Sequence, residues 1–217
     1  DIPENISYMK VKLDGINTSD YELLNERQAI LSKAPLILEI KTKRISKVDA
    51  IELPIAAKEL EEFMQPSQLI QSDSEEIIRL ARDITGDNKN SLIAAQIIKD
   101  WVFKNIRKKP VISIPDALGT LKRKEGDCNE HSFLFAALSR AIGIPAKVCY
   151  GVVHVEGRFY YHAWCKIYIG EWISIDPTLG QDFADATHVE FLSGGLDKQL
   201  DLLRLIGKLN LKILEVK

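Results

Sequence analysis

The stretch that decides the fold is Gly126-Asp127-Cys128-Asn129-Glu130-His131, which continues as an apolar segment to Gly143. Asp127 is a good helix N-cap, and Glu130 three residues later completes the sequence pattern of a capping box. Apolar residues then recur at helical spacing, and the glycine at position 143 marks the end of the helix. The sequence therefore predicts a buried helix whose first residue is Cys128.

Helices are predicted before this segment and strands after it. Apolar residues recur at helical spacing over residues 74–84 and 91–106, and residues 115–121 can form a short helix or turn. Alternating patterns predict strands over 148–153, 158–168 and 172–176. We therefore expect an α+β fold in which the central helix packs on an antiparallel sheet.

The first 66 residues have a different pattern. Residues 9–13 and 36–40 alternate between apolar and polar side chains, and residues 51–55 are compatible with a third short strand. A polar stretch around Gln65-Pro66-Ser67-Gln68 suggests a boundary. We predict a β-rich N-terminal segment over residues 1–66 and a catalytic domain over 67–217. In the tail, residues 196–205 are expected to be helical and 209–216 to form a final strand.

Composition excludes several classes of function. The net charge is −2, so no basic footprint indicates nucleic acid as a partner. No apolar run approaches the roughly 20 residues of a membrane-spanning helix. Three cysteines are too few for a disulfide framework. The sequence indicates no cofactor, and it does not determine the oligomeric state.

Three residues have the order that thiol catalysis requires. His162 follows Cys128 by 34 residues, and Asp176 follows His162 by 14. A free thiol, with a pKa near 8.5, is mostly protonated at neutral pH, and the N-terminus of a helix favours the thiolate. An imidazole can act as base and acid toward such a thiol, and a carboxylate can orient the imidazole.

The hairpin between the strands predicted over 158–168 and 172–176 tests this hypothesis. A three-residue loop over 169–171 places Trp164 opposite Asp176 and brings His162 to the same face of the sheet. A two-residue loop would place the histidine and the aspartate on opposite faces. The hypothesis therefore requires the longer loop or a bulge.

A zinc site is the rival interpretation of the same residues. Cys128-x-x-His131 and His162-x-x-Cys165 supply four possible ligands in metal-like spacing. The helical pair could converge, but alternation along a strand separates His162 from Cys165. We therefore expect no metal at these residues, and we expect Cys149 and Cys165 to be small core side chains.

The segments Gly126–Glu130, Tyr161–Trp164 and Asp176–Thr178 resemble the transglutaminase-like superfamily of papain-related cysteine enzymes, over roughly residues 70 to 190. The resemblance implies a papain-like core with Cys128 as nucleophile, His162 as general base and acid, and Asp176 as the orienting residue. It also implies a protein or peptide substrate. Because many compact microbial members act in the cell envelope, it suggests an extracytoplasmic location, although the cytoplasm stays open.

Further side chains are candidates for lining the site. Trp164 shares the predicted face of the histidine, while Asn129 and His131 lie within one helical turn of the cysteine. An oxyanion hole needs a second donor besides the Cys128 amide. Trp101 and Gln96 are candidates if their helix approaches the cleft.

Three functions remain open at this point. The first is an amide hydrolase or acyltransferase (a protease, amidase or transglutaminase-like enzyme) that acts through a thioester. The second is a non-catalytic transglutaminase-like scaffold that binds a protein or peptide. The third is a relative of arylamine acetyltransferases that uses the same three residues on an acyl-coenzyme A donor.

Overall fold

The computed structural model describes residues 6–17, 20–110, 114–194 and 207–217, together with positions 198, 201 and 205. Its helices are α1 (Glu75–Thr85), α2 (Ser91–Asn105), α3 (Ala117–Arg123) and α4 (Cys128–Ala141). Its strands are β1 (Tyr8–Asp14), β2 (Gln28–Lys33), β3 (Leu36–Lys41), β4 (Arg107–Lys108), β5 (Glu125–Gly126), β6 (Ala146–Val155), β7 (Arg158–Tyr168), β8 (Trp172–Ile175), β9 (His188–Ser193) and β10 (Asn210–Val216). A 3-10 helix spans Lys58–Phe63. The predicted α+β fold class is confirmed.

The chain forms two compact units. The first unit comprises Asp1–Lys43, Cys149–Ala163 and Phe183–Lys217, and the second comprises Arg44–Val148 and Trp164–Asp182. None of the helices in the described part of the chain has the length and apolar character that crossing a bilayer requires.

The first unit contains a four-stranded sheet in the order β10-β1-β3-β2. Alternation along β1 buries Met9, Val11 and Leu13, as the pattern predicted. The final strand pairs antiparallel with β1, so the end of the chain completes a sheet that begins at its start. The helix predicted over 196–205 lies largely outside the described residues.

The third N-terminal strand predicted around Ile51, Leu53 and Ile55 is wrong. In the structure this stretch makes one isolated bridge, between Glu52 and Asn90. Pro54 lies within the stretch, and proline supplies no N–H for a strand ladder.

The second unit is organised around α4. This helix packs against α1, α2 and α3, and the residues from Glu130 to Ser139 are all buried. Cys165 of β7 donates its thiol hydrogen to the Ser132 carbonyl oxygen at 3.3 Å, which places α4 against that strand. A helix covered on all sides explains why its sequence is apolar well beyond one stripe. Cys149 and Cys165 are fully buried, as predicted.

A second sheet has the strand order β8-β7-β6-β9. Its β7–β8 hairpin pairs Tyr168 with Trp172 and Cys165 with Ile175. The loop is therefore the three residues 169–171, with Gly170 at a positive φ of 112°. This is the register that the triad hypothesis requires.

Replacing Leu138 by alanine tests whether packing around α4 stabilises the protein. Leu138 is fully buried, so we expect the free energy of unfolding to fall by about 2–5 kcal/mol, because the substitution leaves a cavity. Urea denaturation followed by circular dichroism measures the change. Leu31→Ala is the matched control, since Leu31 is 49% exposed and its loss should cost much less. Equal losses in the two variants would contradict this description of the core.

Candidate active site

Cys128 is fixed by the capping box at the start of α4. The Asp127 carboxylate accepts hydrogen bonds from the Asn129 amide at 2.8 Å and from Asn129 Nδ2 at 3.2 Å. Glu130 Oε2 accepts a hydrogen bond from the Asp127 amide at 2.9 Å. The cap predicted from sequence is therefore present, and Cys128 is the first helical residue and partly exposed. The Asn129 side chain serves the cap.

Glu130 lies unusually close to the backbone that precedes Cys128. A Cβ atom at Gly126 would lie 2.2 Å from the Glu130 Cβ, so glycine is required there. Burial, together with the neighbouring Asp127 carboxylate, raises the pKa of Glu130 to about 7. Near neutrality the Glu130 carboxyl group of the cap is therefore only partly ionised.

His131 has a structural environment. Its Nδ1 lies 2.6 Å from the Asp127 carbonyl oxygen, and its Nε2 lies 3.2 Å from the Ile106 carbonyl oxygen. Burial lowers the pKa of this fully buried imidazole. Since both ring nitrogens contact backbone carbonyls, His131 is poorly suited to bind zinc, and these contacts favour a role in joining α4 to the end of α2.

Asp176 follows β8 directly and is fully buried. Its Oδ1 accepts hydrogen bonds from the amides of Thr178 at 2.7 Å and Leu179 at 2.9 Å. Its own backbone exchanges two 3.0 Å hydrogen bonds with Gln181. One carboxylate oxygen is therefore held by the turn, which fixes the plane of the group.

A buried lysine holds the same loop against α2. Lys99 Nζ lies 2.7 Å from Asp182 Oδ1 and 2.6 Å from Asp100 Oδ1, and it donates to the Gly180 carbonyl oxygen at 3.1 Å. Burial alone would lower the pKa of Lys99, but the two carboxylates raise it on balance. Sequence reasoning missed this residue, because a lysine on a helix is usually a solvated side chain.

The two candidates for a second oxyanion donor have other contacts. Gln96 Nε2 donates to Asp182 Oδ2 at 3.1 Å, and the Lys124 ammonium lies 4.3 Å from the centroid of the Trp101 ring. These contacts give no support to either residue as an oxyanion donor. Trp164 is buried at the position that the register places opposite Asp176.

His162 lies on β7 where the strand passes from exposed to buried. Tyr160 and Tyr161 before it are 49% and 38% exposed, whereas the His162 side chain is buried. Its ring centroid lies 5.7 Å from that of His188. Sequence analysis did not connect His188 with His162, since no spacing rule links residues on β7 and β9.

Comparisons with known proteins agree with the resemblance noted in the sequence. Residues 78–177 match the family model of the transglutaminase-like superfamily, which confirms that resemblance. A protein from Haemophilus influenzae of undescribed function is 28% identical over 135 residues. That match covers 55% of this chain and 35% of the length of the relative.

Solved structures share the fold. A crystal structure described as a proposed cysteine protease from Cytophaga hutchinsonii has a TM-score of 0.64 at 19% identity, covering 98% of this chain and 86% of that one. The periplasmic domain of TgpA from Pseudomonas aeruginosa, bound to ethylmercury, has a TM-score of 0.51 at 12% identity. The match covers 81% of this chain and 76% of the TgpA chain. At these identities the two structures establish the fold of the chain.

Gly126→Ala tests the close approach of Glu130 to the backbone. We expect it to destabilise the protein and to open the capping box, because the new methyl group would overlap the Glu130 side chain. Thermal unfolding measures the loss. Gly86→Ala is the control: Gly86 has a φ of 56°, but a methyl group there would meet nothing within 4 Å, so it reports backbone strain alone. A Gly126 variant as stable as the Gly86 variant would contradict the steric argument.

Glu130→Gln tests the raised pKa. An acid whose pKa is higher in the folded state loses stability as pH rises from its unfolded value, near 4.5, to its folded value, about 7. The neutral amide keeps an acceptor for the Asp127 N–H but cannot ionise. The wild-type protein should therefore lose about 2 kcal/mol relative to the variant between pH 5 and pH 7. Parallel stability curves for the two proteins over that range would show that Glu130 ionises normally.

Proposed function

We propose that this protein is a cysteine-dependent enzyme that cleaves or transfers amides through a thioester, with Cys128 as nucleophile, His162 as general base and acid, and Asp176 as the orienting carboxylate. The family match over residues 78–177 supports a cysteine-protease-like function in general. The three catalytic roles are inferred from the types and positions of the residues described above. The observation that carries the proposal is the three-residue β7–β8 loop, because it sets the register that the triad needs.

The nucleophile has the local environment that thiol chemistry needs. Cys128 is the first residue of a fourteen-residue helix, where backbone amides and the helix dipole stabilise negative charge. It is partly exposed, unlike the other two cysteines, so a substrate can reach it. The capping carboxylate of Asp127 opposes the thiolate, but its charge is engaged by the Asn129 amide.

The register of β7 and β8 supports pairing of the histidine and the aspartate. Extending the ladder by one position beyond Cys165 and Ile175 sets Trp164 opposite Asp176. His162 lies two residues from Trp164 on the same strand, so alternation directs both side chains to one face. Because the turn holds Asp176 Oδ1, we assign Oδ2 as the acceptor for a ring N–H of His162.

The proposed reaction proceeds in two halves. The Cys128 thiolate attacks the amide carbonyl carbon, and the His162 imidazolium donates its proton to the departing amine as the C–N bond breaks. This leaves a thioester on the Cys128 sulfur. His162 then removes a proton from water or from an amine acceptor, which attacks the thioester and releases the sulfur as thiolate. Water gives hydrolysis, and an amine gives transamidation.

We further propose a peptide or protein substrate and an extracytoplasmic location. The description of the Cytophaga protein as a protease supports the first, and the periplasmic origin of the TgpA domain supports the second. Hydrolysis is the simpler expectation for a compact domain. The second candidate, a scaffold that binds peptides without turnover, is favoured only if the thiol proves unreactive.

Activity is tested with a mixture of peptides and a dansyl-labelled primary amine. We expect new peptide termini, seen by mass spectrometry, if water is the acceptor, and labelled peptides if the amine is. Cys128→Ala and His162→Ala should remove nearly all turnover, and Asp176→Asn should lower it by roughly 10²- to 10⁴-fold. Cys149→Ala is the control cysteine variant. Undiminished turnover in Cys128→Ala would disprove the assignment, and peptide binding without turnover would support the scaffold.

A further inference from the structure

A buried polar cluster lies beside the proposed catalytic histidine within the first unit. His188 and Asp185 are almost fully buried, and His188 Nδ1 lies 3.3 Å from Asp185 Oδ1. The same carboxylate oxygen accepts hydrogen bonds from the Thr187 amide at 3.0 Å and from the Thr187 hydroxyl. His188 Nδ1 therefore faces a carboxylate, and a carboxylate in this position orients the imidazole ring.

The cluster is anchored by residues from the N-terminal part of the chain. The buried Arg27 guanidinium donates to the carbonyl oxygens of Ala184 at 2.8 Å, Asp185 at 2.9 Å and His188 at 3.3 Å. A guanidinium has donors in a fixed planar arrangement, so three carbonyl acceptors hold the loop in one conformation.

Gln28 joins β2 to β9 beside the same loop. Its Oε1 accepts from the Glu190 amide at 3.0 Å, and its Nε2 donates to the Glu190 carbonyl oxygen at 2.9 Å. The Gln28 side chain thus makes the two hydrogen bonds to the Glu190 backbone that a neighbouring strand would otherwise make. The loop that carries His188 is therefore held from both ends by residues 27 and 28.

The cluster places a buried carboxylate next to the His188 ring. Burial raises the pKa of Asp185, but the hydrogen bonds and charge of His188, with the Thr187 bonds, lower it on balance, so the carboxyl group is ionised. Among the described residues of the first unit, further charged groups at this cluster include Arg27, which is bound to the backbone carbonyls, and Glu26 and Glu190, whose charges act on Arg27. Glu190 also accepts a hydrogen bond from Asn25 at 3.2 Å.

The rings of His188 and His162 are near neighbours. Their centroids lie 5.7 Å apart with the planes tilted by 57°, and both side chains are buried. The two rings lie against each other, so His188 limits the orientations open to the His162 ring. A carboxylate behind the first ring then stabilises a positive charge on the second.

We propose that His188, oriented by Asp185, is a positioning residue for His162, and that Arg27 makes the N-terminal segment part of the catalytic machinery. This inference rests on the proposed role of His162. His188 would limit the orientation of the His162 ring by packing against it, and the Asp185 carboxylate behind His188 would favour the imidazolium form of His162. The two ring nitrogens of His162 keep their proposed partners, Asp176 and the reacting atoms. His188 and Asp185 exchange no proton with the substrate.

The simpler alternative is that His188 is a core histidine with a purely structural role, whose hydrogen bonds are made by Asp185 and Thr187. Both interpretations predict that removing His188 destabilises the fold, so stability does not separate them. The protonation constant of His162 does separate them, because a residue that only fills space has no reason to change it.

The test is an NMR titration of the ¹⁵N-labelled His162 ring in a Cys128→Ser background, with a chelator present to exclude bound metal. Asp185→Asn should lower the protonation constant of His162 by about three- to tenfold, since it removes a nearby negative charge. His188→Phe keeps a ring against His162 but removes the hydrogen bond to Asp185, so it should also lower this constant. His154→Gln is the control, and it should leave His162 unchanged.

An unchanged His162 titration in folded Asp185→Asn would overturn the inference. If His188→Phe does not fold, Asp185→Asn alone decides, because the amide preserves the acceptor for Thr187 and His188. Failure of the proposed function gives a different result. His162 would then respond to Asp185→Asn as expected, while the reactivity of Cys128 in the wild-type protein would not depend on His162.

Discussion

The capping box at the start of α4 is the constraint on which the rest of the site depends. Asp127 and Glu130 satisfy amides on both sides of Cys128, so the helix begins at the cysteine and at no neighbouring residue. The burial of α4 among three other helices then fixes the direction of that helix end. A cap formed one residue later would leave the thiol in an extended segment, without the stabilisation that a helix N-terminus provides.

The parts of the fold that sequence predicted are those with local signals. The capping box, the periodicity of α4 and the alternation along β7 are each contained within a dozen residues. The strand β9 was missed because it is buried on both faces and includes His188 and Glu190, which break an apolar run. The pairing of β10 with β1 was also missed, since no local pattern shows that the two ends of a chain meet.

The candidate site shows the same difference between local signals and contacts that are distant in sequence. Cys128, His162 and Asp176 are proposed from motifs, because catalytic chemistry restricts residue type and order. The residues that hold them were not, since Lys99, Arg27 and Asp185 act through contacts between segments far apart in sequence. Buried charges of this kind need paired partners, so they usually mark places where loops must keep one conformation.

The most direct test of the central claim is the rate at which iodoacetamide alkylates Cys128 as a function of pH, with the adduct located by mass spectrometry. Cys149 and Cys165 are internal controls, since both are fully buried. A thiolate–imidazolium pair predicts fast alkylation that persists below pH 6 and that His162→Ala slows near neutrality. A rate that rises only toward the value of a free thiol, about pH 8.5, and that is indifferent to His162 would contradict it.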